Sequence, residues 1–196
     1  MMWQKFRKEL EKDKKTRPWF HRNFEYDFAL KYLADLRYIN FTGLSVLDVG
    51  CCESLFMFEL DYRGYETQGI DTRVYEHKLP RDIIFHQADI TNPHFLTIFK
   101  DIKFQYITAI STIEHIGLSV YGNQKIENGD RLAMENLNKV ISDSGYLIMT
   151  VPNSRWGTDS GRGYTPKEFS NLVGGLFDIF EISNGGGQIC AALVKH

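Results

Sequence analysis

Polar residues follow several short β-branched runs of this sequence, and their types suggest ligand binding. Gly50 follows the first run, Asp71 stands 21 residues beyond it after the second run, and Asp89 follows the third. A carboxylate such as Asp71 can accept two hydrogen bonds from ribose hydroxyls, and one such as Asp89 can accept a bond from an adenine amino group. These positions favour a nucleoside-like ligand. The other interpretation of each carboxylate is a helix cap or a turn.

A glutamate and a histidine follow the fourth run, in the segment "STIEHIG". His115 is a candidate general base, because an imidazole is suited to take a proton from a hydroxyl or an amine near neutral pH. Glu114 is its neighbour, but adjacent positions need not face the same way, so the pairing is not implied by sequence. The alternative role for His115 is packing or hydrogen bonding beneath the loop.

Two long loops follow the fourth and fifth runs and should form a second binding region. They span residues 117–130 and 152–166. Guanidinium groups bind phosphate or carboxylate, and indole rings stack on sugars or bases. This combination suits a nucleotide-sugar or another anionic small molecule, and the alternative is that the arginines are merely solvated. The candidate contact residues are Tyr121, Arg155, Trp156, Arg162 and Tyr164.

These polar positions require a framework of strands alternating with helices. The strand-like runs are "LSVLDV", "YETQGID", "DIIFHQA", "FQYITAIST" and "GYLIMTV", and helical patterns lie between them at 54–63, 93–101 and 131–142. Such alternation predicts crossover units and a parallel sheet. Ligands of open parallel sheets bind beyond the carboxyl ends of the strands, which is where the polar residues stand.

The two ends of the chain do not continue this alternation of strands and helices. The pattern over 22–38 predicts an amphipathic helix. A helix at 166–174 is followed by "LFDIFEIS" and "ICAALVK", which the Gly-rich "NGGGQ" joins, so we expect an antiparallel hairpin at the edge of the sheet. The apolar face of the first helix contains Phe24, Phe28, Ala29, Tyr32, Leu33 and Leu36.

Taken in order, these motifs resemble class I S-adenosylmethionine-dependent methyltransferases. The matching segments are "VLDVGC" at 46–51, "GID" at 69–71, "AD" at 88–89 and "GYLIMTVPN" at 145–153. The resemblance covers roughly residues 42–195, and the terminal hairpin is part of it. Within the family, "STIEHIGLSVYG" followed by "GDRLAMENLNKVISDSGYLIMTVP" resembles a bacterial and archaeal branch linked to sugar and polysaccharide modification.

The resemblance implies a fold, a cofactor and a set of site residues. The fold is a doubly wound α/β structure with a mostly parallel seven-stranded sheet of order 3-2-1-4-5-7-6, an antiparallel C-terminal hairpin and N-terminal helices. The cofactor is S-adenosylmethionine, with no metal. The implied catalytic residue is His115, with Glu114 beside it, and the implied cofactor-binding residues are Asp48, Gly50, Cys51, Cys52, Asp71, Asp89, Ile90 and Ser111.

The turn after the first strand departs from the dinucleotide pattern, since Cys52 and Ser54 stand where further glycines are usual. Repeated glycines let a pyrophosphate approach the backbone. S-adenosylmethionine carries no phosphate, so close approach is needed mainly at Gly50, and Ser54 can cap the following helix. We interpret Cys51 and Cys52 as small packing residues, with a nucleophilic role as the alternative.

Length and composition limit the other classes. The 196 residues predict one domain at 42–196 with an N-terminal helical extension at 1–41. A net charge of −2 gives no global attraction to nucleic acid or anionic membranes. No run approaches the roughly 18 apolar residues that span a bilayer. The N-terminus lacks an apolar signal core, and the odd cysteine count fits a reduced, cytoplasmic setting.

Three functions remain open at this stage. The first is methyl transfer to a small-molecule acceptor, such as a sugar, nucleotide-sugar or glycan precursor, by a monomer or homodimer. The second is RNA or protein methylation: eight Lys and Arg against three acidic residues in the first 22 positions keep RNA open, although the "(N/D)PP(Y/F)" block is absent. The third is a non-catalytic relative that binds the cofactor. A nicotinamide-dependent oxidoreductase fits least.

Overall fold

The computed structural model describes residues 22–39, 41–76, 78–155 and 157–195. Within them one mixed sheet carries helices on both faces. Its strands are β1 (Ser45–Val49), β2 (Glu66–Asp71), β3 (Ile84–Gln87), β4 (Phe104–Ile110), β5 (Ile141–Pro152), β6 (Phe177–Gly185) and β7 (Gln188–Lys195). The α-helices are α1 (Arg22–Tyr32), α2 (Phe56–Tyr62), α3 (His94–Ile98), α4 (Gly129–Val140) and α5 (Pro166–Val173), and short 3-10 turns lie at Leu36–Tyr38, Cys51–Glu53 and Ile113–His115.

The sheet has the order β3-β2-β1-β4-β5-β7-β6, which confirms the predicted doubly wound topology. Strands β3, β2, β1, β4 and β5 pair in parallel, and β7 pairs antiparallel with both β5 and β6. Gly186 and Gly187 form the two-residue turn between β6 and β7, with φ of +60° and +82°. Positive φ at both positions is typical of a type I′ turn, and glycine adopts it without steric cost.

Two apolar layers pack on the opposite faces of the sheet. The alternation is clear in β7, where Ala191 and Leu193 face the α3, α4 and α5 side, and Cys190 and Ala192 face the α1 and α2 side. This period of two is what a strand covered on both faces requires. Helix α5 begins with a capping box, in which Thr165 accepts from the Glu168 amide and Glu168 accepts from the Thr165 amide.

Several predicted elements differ from the structure at their ends, and the helix predicted at 93–101 spans only His94–Ile98. The helix predicted at 22–38 ends at Tyr32, because Arg63 Nη1 donates to the Leu33 carbonyl and the Leu36 amide donates to the Arg63 carbonyl, which draws the chain away from the helix axis. Phe24 is 41% exposed rather than buried on the common face.

The helix predicted at 131–142 ends at Val140, and β5 starts at Ile141 rather than Gly145. The register of β5 against β4 shifts between Phe104 and Tyr106, and Ser144 has a φ of +58°. This irregularity in the strand leaves no simple alternation, so the sequence pattern could not locate its start.

Residues 1–21 of the predicted N-terminal helical extension lie outside the described residues, and the domain boundary at residue 41 stays a prediction. No helix in the part of the chain that the structure describes is long and apolar enough to cross a membrane.

The packing of the central strand yields a stability prediction. Ile148 of β5 is fully buried, whereas Ile182 of β6 is 43% exposed. Ile148→Ala should lower the free energy of unfolding by about 2–5 kcal/mol, because it removes apolar contacts and leaves a cavity. Ile182→Ala should cost less than about 1 kcal/mol. Urea denaturation of both variants measures this, and equal losses would contradict the assignment of β5 to the core.

Candidate active site

One open cleft lies beyond the carboxyl ends of β1, β2, β3 and β4. Strand order reverses between β1 and β4, and ligands of open parallel sheets bind at such a reversal. The sequence-predicted site residues that line the cleft are Gly50, Asp71, Asp89, Ile90, Ser111, His115 and Tyr121.

Gly50 forms the floor of the cleft and is in the left-handed region, with φ of +74°. A Cβ at this position would lie 2.4 Å from the Oγ1 and Cγ2 atoms of Thr112. The Thr112 hydroxyl in turn lies 3.1 Å from the Val49 carbonyl, so the loop after β4 is packed onto the turn after β1. Both the backbone conformation and the close approach therefore require glycine.

Asp71 is buried at the end of β2, where its carboxylate organises the adjoining backbone. Its Oδ2 accepts from the Cys52 amide, and its Oδ1 accepts from the Arg73 amide, each at 3.0 Å. The Arg73 guanidinium makes two longer contacts, from Nε to Oδ1 at 3.3 Å and from Nη2 to Oδ2 at 3.4 Å. A carboxylate has about four acceptor sites, so the Arg73 side chain occupies the two that added hydroxyls would use.

Asp89 and Ile90 form the wall beyond β3. Asp89 Oδ1 accepts from the Thr91 amide at 2.8 Å and the Thr91 hydroxyl at 2.7 Å, so this carboxylate shapes a turn as well as lining the cleft. The Ile90 side chain is buried, and its carbonyl accepts from Asn136 Nδ2 at 2.8 Å. The structure thus permits both roles that the sequence left open for Asp89.

Asp48, Cys51 and Cys52 lie beneath or beside the cleft rather than in its lining. Asp48 Oδ1 accepts from the Thr108 hydroxyl at 2.7 Å inside the protein. A hydrogen bond with Cys52, together with burial, raises the pKa of the Cys51 thiol far above its ordinary value. A thiol that stays protonated is a poor nucleophile. This agrees with the interpretation of Cys51 as a packing residue.

His115 lines the cleft at the end of the 3-10 turn that follows β4. Its Nδ1 faces the Ser160 carbonyl oxygen, which can only accept, so Nδ1 carries a proton. In the neutral imidazole the lone pair is therefore on Nε2, which lies 3.8 Å from the Oε1 atom of the buried Glu114. The ring of Tyr121 meets His115 edge-on, with centroids 5.4 Å apart. These three side chains are thus brought together.

Ser111 directly follows β4, and its φ of +47° is unusual for a residue with a side chain. Its amide donates to Thr150 Oγ1 at 2.9 Å, and its hydroxyl donates to Glu25 Oε2 at 2.7 Å. Thr150 Oγ1 donates to the same Glu25 oxygen at 2.8 Å. A carboxylate of α1 therefore holds one wall of the cleft.

Arg162 and Tyr164 bind other groups of the protein and are not part of the cleft lining. Arg162 Nη1 donates to the carbonyls of Glu114 and Ile116, at 3.3 and 2.6 Å, and its Nε lies 3.7 Å from Asp130 Oδ2. The Tyr164 hydroxyl donates to the same Asp130 oxygen at 2.8 Å, and burial with that carboxylate raises the pKa of Tyr164 well above its ordinary value. Both side chains thus secure the segment that carries His115.

Arg155 is exposed and is not part of the cleft lining, so the structure does not bring it to His115. Trp156 lies outside the described residues. The predicted substrate roles of the 152–166 loop therefore stay predictions, and the contacts of Arg162 and Tyr164 favour a supporting role.

Sequence reasoning missed Arg73 and Glu25. The Arg73 guanidinium lies 4.7 Å from the Tyr121 ring centre, so it extends from Asp71 across the cleft. Its position two residues after Asp71 was the available signal. Glu25 precedes Phe28 and Ala29 by three and four residues, which places a carboxylate on the buried face of α1 and could have identified it.

Three known structures that share this fold were solved with S-adenosylmethionine or S-adenosylhomocysteine. NodS, an N-methyltransferase from Bradyrhizobium japonicum, was solved with S-adenosylhomocysteine; it is 14% identical, with 89% of this chain and 86% of that chain covered and a TM-score of 0.59. Magnesium protoporphyrin IX methyltransferase from Synechocystis, solved with S-adenosylmethionine, is 13% identical, with 90% and 80% covered and a TM-score of 0.59.

A third structure is 1,6-didemethyltoxoflavin-N1-methyltransferase from Burkholderia thailandensis, solved with its acceptor and S-adenosylhomocysteine. It is 11% identical, with 98% of this chain and 89% of that chain covered and a TM-score of 0.60. At these identities the likeness shows the fold alone. No curated protein matches the chain significantly.

A family model described as a methyltransferase domain matches residues 15–181, which is most of the chain. This match agrees with the sheet order and with the position of the cleft at the reversal between β1 and β4. The chain therefore belongs to the methyltransferase domain family and is an S-adenosylmethionine-dependent methyltransferase.

Proposed function

We propose that the cleft holds S-adenosylmethionine and that the enzyme methylates a hydroxyl or amine of a small polar acceptor. We propose a sugar, nucleotide-sugar or glycan precursor as the acceptor class. The observation that carries this proposal is the arrangement of His115, which lines the cleft and whose protonated Nδ1 on the Ser160 carbonyl leaves Nε2 as the basic nitrogen of the ring.

The chemistry of the lining suits this cofactor. Val49, Ile70 and Ile90 provide apolar surface for a base, while Asp71 and Asp89 provide acceptors for hydroxyl and amino groups. After Gly50 the chain forms a 3-10 turn, and α2 begins only at Phe56. The N-terminus of an α-helix therefore does not follow the glycine directly, and a pyrophosphate would lack the amide donors that an α-helix presents there.

The proposed mechanism relies on positioning and proton removal. Bound S-adenosylmethionine supplies an electrophilic methyl group on its sulfonium. Asp71 would bind the ribose hydroxyls as the Arg73 side chain leaves, while Gly50 admits the ligand close to the backbone. His115 Nε2 would take the acceptor proton, and the Glu114 carboxylate at 3.8 Å would stabilise the resulting imidazolium.

The lining near His115 supports a small polar acceptor. Tyr121 offers an aromatic face, and Asn123 and Gln124 offer amide donors and acceptors, which together suit sugar hydroxyls. Within the described lining, Arg73 is the one permanently charged cation, and it faces Asp71, so the cleft has no basic track for a nucleic acid. Two compared enzymes are named for small acceptors, a toxoflavin precursor and magnesium protoporphyrin, which supports the same class.

The role of Asp71 gives a binding prediction. Asp71→Asn should weaken S-adenosylhomocysteine binding about tenfold to a hundredfold, since it removes charge-assisted hydrogen bonds to the ribose. Arg73→Ala should leave affinity within a few-fold or raise it, because the guanidinium competes for the same oxygens. Isothermal titration calorimetry measures both.

The exposed Asp82 and Arg81 provide matched controls for these two variants. Asp82→Asn and Arg81→Ala should both bind as the wild type does. If Asp71→Asn also binds as the wild type does, the ribose assignment is wrong. If Arg73→Ala is as weak as Asp71→Asn, Arg73 contacts the ligand instead of competing with it.

The role of His115 gives a kinetic prediction, which also tests the acceptor class. Neutral sugars, nucleotide-sugars, small amines and RNA oligomers would be screened for methyl transfer from labelled cofactor, and we expect transfer to a sugar-containing compound. On that acceptor, His115→Asn should lower kcat by about 10²–10⁴ without changing the affinity for S-adenosylhomocysteine. The wild-type rate should fall at acid pH, because a protonated Nε2 has no lone pair.

His94→Asn is the matched control, because His94 is exposed and outside the cleft lining. It should keep wild-type kcat. Transfer to RNA alone would exclude the small-molecule proposal, and a His115→Asn variant with wild-type kcat would exclude the general base.

A further inference from the structure

A buried carboxylate stands directly behind the wall of the cleft. Glu25 is 1% exposed, and its Oε2 accepts from the hydroxyls of Ser111 and Thr150. Ser111 itself lines the cleft. Within the described ranges, no Lys, Arg or His side chain forms an ion pair with Glu25. A carboxylate is therefore held one hydrogen bond away from a residue that lines the cleft, and its described partners are hydroxyls rather than cations.

The hydrogen bonds around Glu25 have a fixed direction. Thr150 Oγ1 accepts from the Ser111 amide at 2.9 Å, so its own proton points to Glu25. Ser111 is held in the left-handed region, where a residue with a side chain costs about 1–2 kcal/mol. The carboxylate thus has a defined place relative to a cleft wall that is itself constrained.

Tyr26, the residue after Glu25, connects α1 to the turn after β1. The Tyr26 hydroxyl donates to Ser54 Oγ at 3.1 Å, and its ring stacks on Phe56 with centroids 5.0 Å apart. Ser54 belongs to the turn after β1, and its Oγ accepts from the Phe56 amide at the start of α2. Contacts of α1 with both the turn after β1 and the residue after β4 thus hold the Glu25 carboxylate in a defined place.

The two ligands of the reaction differ in charge at one atom. S-adenosylmethionine carries a sulfonium, whereas S-adenosylhomocysteine carries a neutral thioether. A fixed anion beside the cleft favours the first ligand over the second, because the Coulomb attraction applies only to the sulfonium. A residue with a purely structural role would change the affinity for both ligands equally.

We propose that Glu25 is a specificity-determining residue that favours the sulfonium cofactor over its thioether product. This inference rests on the proposed binding of S-adenosylmethionine in the cleft. It gives α1 a role in product release, since the transfer of the methyl group removes the positive charge of the sulfonium that Glu25 attracts.

The test is the ratio of the two dissociation constants, measured by titration calorimetry with S-adenosylmethionine and S-adenosylhomocysteine. Glu25→Gln keeps the length of the side chain and a carbonyl acceptor for both hydroxyls but removes the charge. In the variant, the ratio of the S-adenosylhomocysteine dissociation constant to the S-adenosylmethionine dissociation constant should fall about 4- to 20-fold. One charge contributes about this much across roughly 10 Å at an effective dielectric constant of about 20–40. Its affinity for S-adenosylhomocysteine should stay near that of the wild type.

Asp27→Asn is the matched control, since it removes a charge from the exposed side of the same helix and should leave the ratio unchanged. If Glu25→Gln does not fold, Glu25→Met, an uncharged side chain of similar length, replaces it with the same expected result. An unchanged ratio, or an equal loss of both affinities, would overturn the inference. Failure of the wild type to bind either ligand would instead overturn the proposed function.

Discussion

The cleft depends on one close approach, between the backbone of Gly50 and the side chain of Thr112. A Cβ at position 50 would lie 2.4 Å from that side chain, and the φ of +74° disfavours any other residue. This contact joins the loops that follow β1 and β4, the two strands between which the sheet order reverses. Asp71 ends β2, Ser111 directly follows β4 and His115 ends the 3-10 turn beyond it. The parallel pairing of β1 with β2 and with β4 brings these strand ends to the same edge of the sheet.

The electrostatics of the cleft match a cationic ligand. Asp71 and Glu25 are both buried, and they are held by hydrogen bonds from opposite sides of the site. Burial of a carboxylate is costly unless hydrogen bonds or a positive charge compensate. At Asp71 the Arg73 guanidinium supplies part of that compensation. At Glu25 two hydroxyls do so, and in the proposed complex this carboxylate would attract the sulfonium.

Much of this arrangement was predictable from sequence, because it depends on local patterns. The alternating runs predicted the strands and the hairpin, and the polar residues were expected at the strand ends. The strand order was implied by the resemblance to class I methyltransferases. The roles of Arg162 and Tyr164 could not be predicted in this way, since their partners Glu114, Ile116 and Asp130 are 32 to 48 residues distant along the chain. Glu25 meets Ser111 and Thr150 across 86 and 125 residues, and only the folded chain brings these three together.

The central claim is that the carboxyl ends of β1, β2 and β4 hold the cofactor, with Asp71 on its ribose. A crystal structure of the complex with S-adenosylhomocysteine tests this most directly. The account predicts ribose hydroxyls within about 2.5–3.2 Å of the Asp71 carboxylate, and an Arg73 side chain withdrawn from both of its oxygens. A ligand bound elsewhere, or an Arg73 guanidinium still paired with Asp71 beside a ribose that does not contact it, would contradict the account.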